Sequence, residues 1–240
     1  MKRLFIALGL SGIWATPLVA EGTWTIGAFA AGGQSPYVGD KDEAALFPYL
    51  AYDTDTLHIG IDGLSYTLLD TGDLAFDVIL TPRFAPDFPK TDLFDGLKRD
   101  DALELGFDAT YAFGAAYVGL AAAGDITDAH EGYSAQARIG YTFDVGDAAI
   151  DLAAGVEFRD AKLNNYLYGV ADNETTATRT AFDVGDSTTA FASLSAVYPL
   201  SNNIFMIGEV SVEDLGDVSK SPLVDRDRVT DLTIGVGFQF

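Results

Sequence analysis

Apolar and polar residues alternate along most of the chain with a period of two. In residues 133–143, aromatic and aliphatic side chains occupy the odd positions, and small, polar or charged residues occupy the even ones. Residues 102–113, 149–158 and 230–240 repeat this alternation. Successive side chains of a β-strand point to opposite faces, so this period is typical of strands with one apolar face. The pattern therefore predicts an all-β protein.

Two architectures share this alternation, a soluble β-sandwich and a transmembrane β-barrel. Several predicted strands run to about ten residues or more, the length that a tilted strand needs to cross a bilayer, whereas strands of soluble sheets mostly have about five or six. Aromatic residues collect near the strand ends, where the interfacial girdles of a barrel lie. They include Trp24, Tyr52, Tyr111, Tyr141 and Phe240. These features favour a transmembrane antiparallel β-barrel of the outer membrane.

The number of strands follows from their direction. Eleven strands are clear, but single-chain bacterial barrels have an even number and keep both termini on the periplasmic side. The strands that begin at Leu57 and Leu74 both ascend, so a descending strand at Leu64–Leu69, after a tight turn at Asp62-Gly63, must lie between them. The predicted strands are Thr23–Gly32, Leu46–Tyr52, Leu57–Ile61, Leu64–Leu69, Leu74–Phe84, Ala102–Phe113, Ala116–Ala123, Tyr133–Phe143, Ala149–Phe158, Thr189–Leu200, Ile204–Glu213 and Val229–Phe240. Twelve strands are expected, and ten are the fallback if the short hairpin does not form.

The first twenty residues have the pattern of a secretory signal peptide. Lys2 and Arg3 precede an apolar run that ends at Ala20, the expected cleavage site. An N-terminal membrane anchor is the alternative, but the run is short and Pro17 interrupts it. We expect residues 1–20 to be removed and residues 21–240 to form a single barrel domain. Downstream of Ala20, no run approaches the roughly 20 continuous apolar residues that a spanning helix requires.

Composition and charge exclude several classes of partner and of chemical site. The chain has 14 Lys and Arg against 36 Asp and Glu, a formal net charge of −22, which is unfavourable for a nucleic-acid partner because phosphate requires a basic surface. It contains no Cys and two His, so thiol catalysis and Cys-based metal sites are excluded. We therefore expect no cofactor, no metal and no nucleic acid.

The polar faces of the strands place charges in the barrel lumen. One mid-strand base, Arg138, is predicted to lie among lumen carboxylates in a network of ion pairs and hydrogen bonds. The carboxylates of this network are Glu104, Asp108, Asp151, Glu157 and Glu209. A narrow cation-preferring diffusion channel is the alternative, because rings of carboxylates favour cations. A barrel enzyme with His58 as a general base beside a lumen carboxylate is a third hypothesis, but a lone strand histidine is far more often structural, and the protein is expected not to be an enzyme.

The loop between the ninth and tenth of the twelve expected strands contains a run of aromatic and polar residues, 164–170. Such a run either folds inward over the barrel mouth or packs on the rim, and rim packing is the expectation. The chain ends on an aromatic residue, Phe240, that closes an alternating strand.

Several segments taken in order resemble the MipA/OmpV family of outer-membrane proteins. They are Ser35–Asp40, Phe47–Tyr52, Asp62–Leu69, Gly96-Leu97, Asn165–Val170, Ser221–Val224 with Asp225-Arg226, and the final strand. The resemblance covers the chain from Ala20 to its last residue. Phe240, a terminal aromatic residue at the end of an alternating strand, resembles the signal read by outer-membrane assembly machinery.

The resemblance also implies a role and partners. A founding member of that family is a scaffold that binds a lytic transglycosylase, so a non-enzymatic scaffold for peptidoglycan-remodelling machinery is expected. The expected partners are outer-membrane lipid or lipopolysaccharide and a lytic transglycosylase or other murein enzyme. The family has no catalytic residues to carry over.

Overall fold

Twelve β-strands form a closed antiparallel barrel in the computed structural model, which describes residues 22–240. The strands are β1 (Thr23–Gly33), β2 (Glu43–Asp53), β3 (Leu57–Gly60), β4 (Gly63–Asp70), β5 (Leu74–Arg83), β6 (Ala102–Phe113), β7 (Ala116–Asp125), β8 (Tyr133–Val145), β9 (Ala148–Arg159), β10 (Ser187–Pro199), β11 (Ile204–Asp214) and β12 (Arg228–Gln239). The predicted fold class and the count of twelve are confirmed. The predicted signal peptide lies outside the described residues.

Each strand pairs with its neighbours in sequence, and β1 pairs with β12 to close the ring. The hairpin of β3 and β4 exists as expected, and Gly63 begins β4 with a φ of 138°, a value that an L side chain rarely adopts. The short links between β2 and β3, β4 and β5, β6 and β7, β8 and β9, and β10 and β11 lie at one end of the barrel with the start of β1 and the end of β12, and we call this the turn end. The opposite end, the loop end, carries the segments 34–42, 84–101, 126–132, 160–186 and 215–227.

The outer wall of the barrel is apolar around its circumference. Leu120, Ile139 and Leu232 are more than half exposed and point away from the lumen. Their strand neighbours with the opposite parity, such as Arg138 and Asp231, point inward. In water, this wall would expose a large apolar surface. An outward-facing apolar surface of this kind is characteristic of proteins that contact lipid.

The loops of the loop end fold together into a second apolar core, which we call the loop cap. It includes an α-helix, α1 (Ala161–Tyr168), that the sequence pattern did not predict. Asp160 caps the helix N-terminus by accepting a hydrogen bond from the Leu163 N–H at 3.0 Å. The buried core of the loop cap consists of Tyr37, Phe94, Leu97, Leu163, Tyr166, Leu167, Tyr168, Val170, Leu215, Val218, Leu223, Val224 and Val229. Because these residues come from loops that leave the ring at separate positions, their contact covers the barrel mouth.

Candidate functional site

The lumen holds a bidentate ion pair at its centre. Arg138 of β8 donates from Nη1 and Nη2 to the two carboxylate oxygens of Asp108, both at 2.8 Å, and from Nη2 to Thr110 at 2.9 Å. The guanidinium reaches β6 by crossing β7 at Gly119, where a Cβ would lie 2.6 Å from Cζ of the arginine. Charge-assisted bidentate pairs of this kind hold both partners in one geometry. A small residue on the intervening strand therefore makes the central pair possible.

A second carboxylate beside this pair is held by hydroxyl groups. Asp151 of β9 accepts hydrogen bonds from the Tyr117 hydroxyl at 2.9 Å and from Thr142 at 3.1 Å. The Tyr117 ring lies directly over Gly140 of the neighbouring strand, where a Cβ would collide with it. Aromatic rings placed over strand glycines fill the lumen without widening the barrel.

Two further clusters lie toward the loop end, and each has its own arginine. Glu104 accepts from Arg83 at 2.7 and 2.9 Å, and Nε2 of His130 lies 3.1 Å from it. Arg159 lies between Glu157, at 2.5 Å, and Glu213, at 2.7 Å.

The five carboxylates predicted to form one network with Arg138 are thus distributed over several clusters. Asp108 contacts Arg138, whereas Glu104 and Glu157 pair with Arg83 and Arg159. Glu209 lies on the lumen face of β11 opposite Ser195 of β10. Sequence reasoning missed Arg83 and Arg159. Each occupies the last position of its strand and has the same odd-numbered parity as the inward-facing residues, and this parity could have indicated them.

An apolar cluster lies in the lumen where side chains of β1, β2 and β11 meet. Phe29 packs against Phe47 and Tyr49, with ring centroids 6.1 and 4.9 Å apart, and Ile207 completes the buried cluster. The Phe29 ring also covers Gly235 of β12. The interior therefore holds both ion-paired charges and a cluster of packed rings.

Two buried arginines connect the loops of the cap. Arg179, which is 2% exposed, donates to the carbonyls of Leu93, Asp95 and Glu174. Arg99 donates to the Tyr166 carbonyl at 2.7 Å and to the Glu174 carboxylate at 2.6 Å. Burial raises the pKa of Tyr168 to about 12, so this core tyrosine stays neutral. The run 164–170, expected on the rim, thus lies in the core of the loop cap.

His58 lies at the turn end of the lumen with both ring nitrogens occupied. Nδ1 is 2.6 Å from Asp53 and Nε2 is 3.1 Å from Asp62. A general base needs an unshared ring nitrogen directed at its substrate, and here both point at carboxylates. The geometry is that of a structural link between β2, β3 and the following turn. Within residues 22–240, no group of three or more His, Cys, Asp or Glu side chains is arranged to hold a metal ion.

Comparison with known proteins gives the family. A family model described as MltA-interacting protein MipA matches residues 26–240. The chain belongs to the MipA family. Its relatives include YiaT of Escherichia coli K12, 25% identical over 99% of this chain and 100% of that protein, and the outer membrane protein OmpV of Vibrio cholerae, 29% identical over 85% and 82%. The MltA-interacting protein of Escherichia coli K12 is 25% identical over 100% of this chain and 99% of its own length.

Among solved structures, the NanC porin superposes with a TM-score of 0.45 and 9% identity, covering 89% of this chain and 98% of that one. No helix within the described part of the chain is long and apolar enough to span a membrane. The protein is located in the bacterial outer membrane, as its family relatives are. Since barrels of this membrane have short periplasmic turns and longer external loops, the turn end faces the periplasm and the loop cap faces outward.

Phe240 terminates this MipA-family barrel at the periplasmic rim. Its N–H donates to the Trp24 carbonyl at 3.0 Å and its carbonyl accepts from the Trp24 N–H at 2.9 Å, so the last residue extends the seam between β12 and β1. The ring stacks on Phe238 at 5.6 Å and is 61% exposed. Its role as an assembly signal stays a prediction.

The Arg99–Glu174 contact predicts an acid-sensitive loop cap in this MipA-family protein. Burial alone would raise the pKa of Glu174, but hydrogen bonds from Arg99 and from the Ala171 N–H hold it below the usual value of 4.5. A carboxyl with a depressed pKa stabilises the fold above its ordinary pKa, and this contribution is lost as the pH falls through the lowered value. Hydrogen exchange in residues 160–186 should therefore be constant from pH 7 to about 5, after correction for the intrinsic rate, and should increase below about pH 4.

The matched variant for this prediction is Glu174→Gln. It should weaken the loop cap at neutral pH by roughly 1–3 kcal/mol, the range for a hydrogen bond to a charged group. It should also remove part of the acid response. An acid response identical in Glu174→Gln and in the unmodified chain would contradict the assignment.

Proposed function

We propose that this MipA-family protein is a non-enzymatic scaffold of the outer membrane for peptidoglycan-remodelling machinery. The observation that carries the proposal is the obstructed and covered lumen, with the Arg138–Asp108 pair at its centre, the Phe29 cluster beside it and the loop cap above it. A barrel closed in this way acts through its surfaces and not through its interior. The name of one full-length relative, the MltA-interacting protein, supports a murein enzyme as the partner class.

The periplasmic turns are the surface nearest to peptidoglycan, and they are acidic. Asp55, Asp73 and Asp147 are exposed in three of these turns. The turn segments 54–56, 71–73, 114–115, 146–147 and 200–203 contain no Lys or Arg. Complementary charge guides association and selects partners, so the partner is a lytic transglycosylase or other murein enzyme with a basic docking patch. The outward wall contacts outer-membrane lipid or lipopolysaccharide.

Crosslinking followed by affinity purification from cell envelopes tests this role. The unmodified protein should capture a murein enzyme identified by mass spectrometry, and the triple variant Asp55→Lys, Asp73→Lys, Asp147→Lys should lose that capture. The control reverses exposed acids of the external loops, Asp172→Lys and Asp217→Lys, and should retain it. Capture that survives the turn reversal, or that depends on the external acids, would contradict a periplasmic scaffold surface.

Planar-bilayer recording distinguishes the scaffold from the cation-preferring channel. Ions would have to pass the Arg138–Asp108 pair and the loop cap, so we expect no stable conductance steps. Reproducible cation-selective steps from folded protein would overturn the scaffold as the sole role.

The relatives are named as outer-membrane or interacting proteins, and we propose that this chain likewise lacks catalysis. A lipase or protease activity abolished by His58→Ala would contradict that.

A further inference from the structure

The barrel wall is incomplete in its external half, between β2 and β5. The β3–β4 hairpin is short: β2 pairs with β3 only from Ala51 to Asp53, although β2 continues upward to Glu43. On the other side, β4 pairs with β5 only as far as Leu80, although β5 continues to Arg83. None of the strand ladders in residues 22–240 joins β2 to β5. At this height β3 and β4 are absent from the ring. Two strands placed between β2 and β5 would occupy three inter-strand spacings, or about 14 Å.

This opening, which we call the wall gap, is bounded by Ala44–Leu50, the turn Ile61–Gly63 and Leu80–Arg83. At its lower edge the Ile61 N–H donates to the Leu50 carbonyl at 3.3 Å. Above it, Tyr37, which precedes β2, packs against Phe88 of the segment that follows β5, with ring centroids 5.1 Å apart. The loop cap therefore crosses above the wall gap, and the gap opens sideways, through the wall.

Both strands that border the wall gap carry a proline with its nitrogen toward the opening. In an antiparallel strand, alternate residues direct their N–H and C=O to the same neighbour. Leu50 bonds toward the hairpin, so Pro48 points the same way, and the continuous β1–β2 register contains no bulge that would change this parity. On β5, Asp73 bonds toward β6, so the even positions, including Pro82, face the hairpin side.

The two prolines decide which class of molecule can occupy the wall gap. A β-strand from another protein would need backbone donors along these edges, and proline removes one from each. Their placement therefore disfavours strand addition and costs no hydrogen bond within the barrel, because the ladder has already ended at both positions.

The β2 edge of the wall gap carries apolar side chains on both faces. Leu46 is 78% exposed, the largest exposed fraction among the large apolar side chains of the described residues, because no neighbouring strand flanks β2 on that side. On the lumen face of β2, Phe47 is partly buried and leads to the Phe29 ring 6.1 Å away. An apolar path thus runs from the outer wall to the interior cluster.

We propose that the wall gap admits an acyl chain of a lipid from the external leaflet, which packs on Leu46 and Phe47 at the β2 edge of the opening. The protein lies in the outer membrane with the loop cap outward, so lipid of that leaflet is the medium at the opening. The cap excludes entry from above, the prolines disfavour a peptide strand, and the apolar β2 edge favours an acyl chain over water. The wall gap is a lipid-binding site, and it does not depend on the scaffold role.

Tryptophan quenching by brominated lipid tests the site, since bromine quenches only at contact distance. Three single variants are reconstituted in phosphatidylcholine vesicles with or without brominated acyl chains, and each is compared with the parent chain so that native tryptophan cancels. Phe47→Trp reports the site, and Leu46→Trp is the lipid-facing reference. Phe191→Trp is the lumen control, because the ring of Phe191 on β10 covers Gly155 of β9. We expect Phe47→Trp to lose nearly as much fluorescence as Leu46→Trp and Phe191→Trp to lose none.

Folding of each variant is checked by a heat-modifiable gel shift. Equal quenching of Phe47→Trp and Phe191→Trp, whether weak or strong, would overturn the proposal, because the lumen would then be closed to lipid or open to it throughout. A second measurement uses the unmodified chain and phosphatidylcholine that carries a diazirine in its acyl chain. Adducts on Phe47 together with Leu46 would support the site, and adducts confined to outward-facing residues would overturn it.

Discussion

Asp108→Leu is expected to lower the free energy of unfolding by about 3–5 kcal/mol, the cost of leaving a buried charge without its partner. Asp108 and Arg138 are mostly buried in the lumen, and both oxygens of the carboxylate accept from the guanidinium at 2.8 Å. Without the carboxylate, Arg138 keeps only its hydrogen bond to Thr110. Reversible urea unfolding in phospholipid vesicles, followed by Trp24 fluorescence, measures the loss.

Two further variants separate the charge effect from a general disturbance of the lumen. Asp55→Leu, in an exposed periplasmic turn, should change stability by no more than about 0.5 kcal/mol. The double variant Asp108→Leu, Arg138→Met should recover much of the loss, because apolar replacement of both partners of a buried pair is often neutral. If the double variant were no more stable than Asp108→Leu, the charge pair would not explain the effect.

Leu163→Ala is expected to weaken the loop cap by about 2–5 kcal/mol, the usual cost of truncating a buried leucine. Leu163 of α1 is 0% exposed and lies in the core that joins the external loops. Because a cap can open without unfolding of the barrel, the expected readout is local. Hydrogen-exchange protection of α1 should fall roughly 30-fold or more, since each 1.4 kcal/mol is a factor of ten.

The neighbouring residue provides the control for this variant. Lys162 is exposed and pairs with Glu131 at the surface, so Lys162→Ala should leave protection within about threefold of the unmodified chain. Proteolysis within residues 160–186 should increase for Leu163→Ala only. Unchanged protection in Leu163→Ala would mean that the loops do not form a cooperative cap in the membrane.

The elements that the sequence predicted well are those with local signals. Each strand of about ten residues displays its own alternation, so β6, β8, β9 and β12 were located to within a few residues. The short β3–β4 hairpin has little pattern of its own and was recovered from strand direction. By contrast, α1 has an apolar face only in relation to loops far away in the chain, and no local period indicated it.

The lumen charges show the same division between features with a local sequence signal and features that depend on tertiary contacts. Alternation decided that Arg138, Asp108 and Glu104 point inward, because side-chain parity is a property of each strand alone. Which charges meet depends on the register and on the size of the residues between them. Arg83 reaches Glu104 on a diagonal of the β5–β6 ladder, and Arg138 reaches Asp108 across Gly119.

By itself the sequence determined a twelve-stranded barrel with an apolar wall, an acidic interior and surface, and a resemblance to the MipA/OmpV family, because strand alternation and barrel topology follow local and general rules. Only the tertiary structure decided which charges and rings meet in the lumen, that the loops close the external mouth, and that β2 and β5 are left unpaired beside Pro48 and Pro82. These features arise where strand lengths differ and distant loops meet, and such contacts carry no periodic signal in the chain.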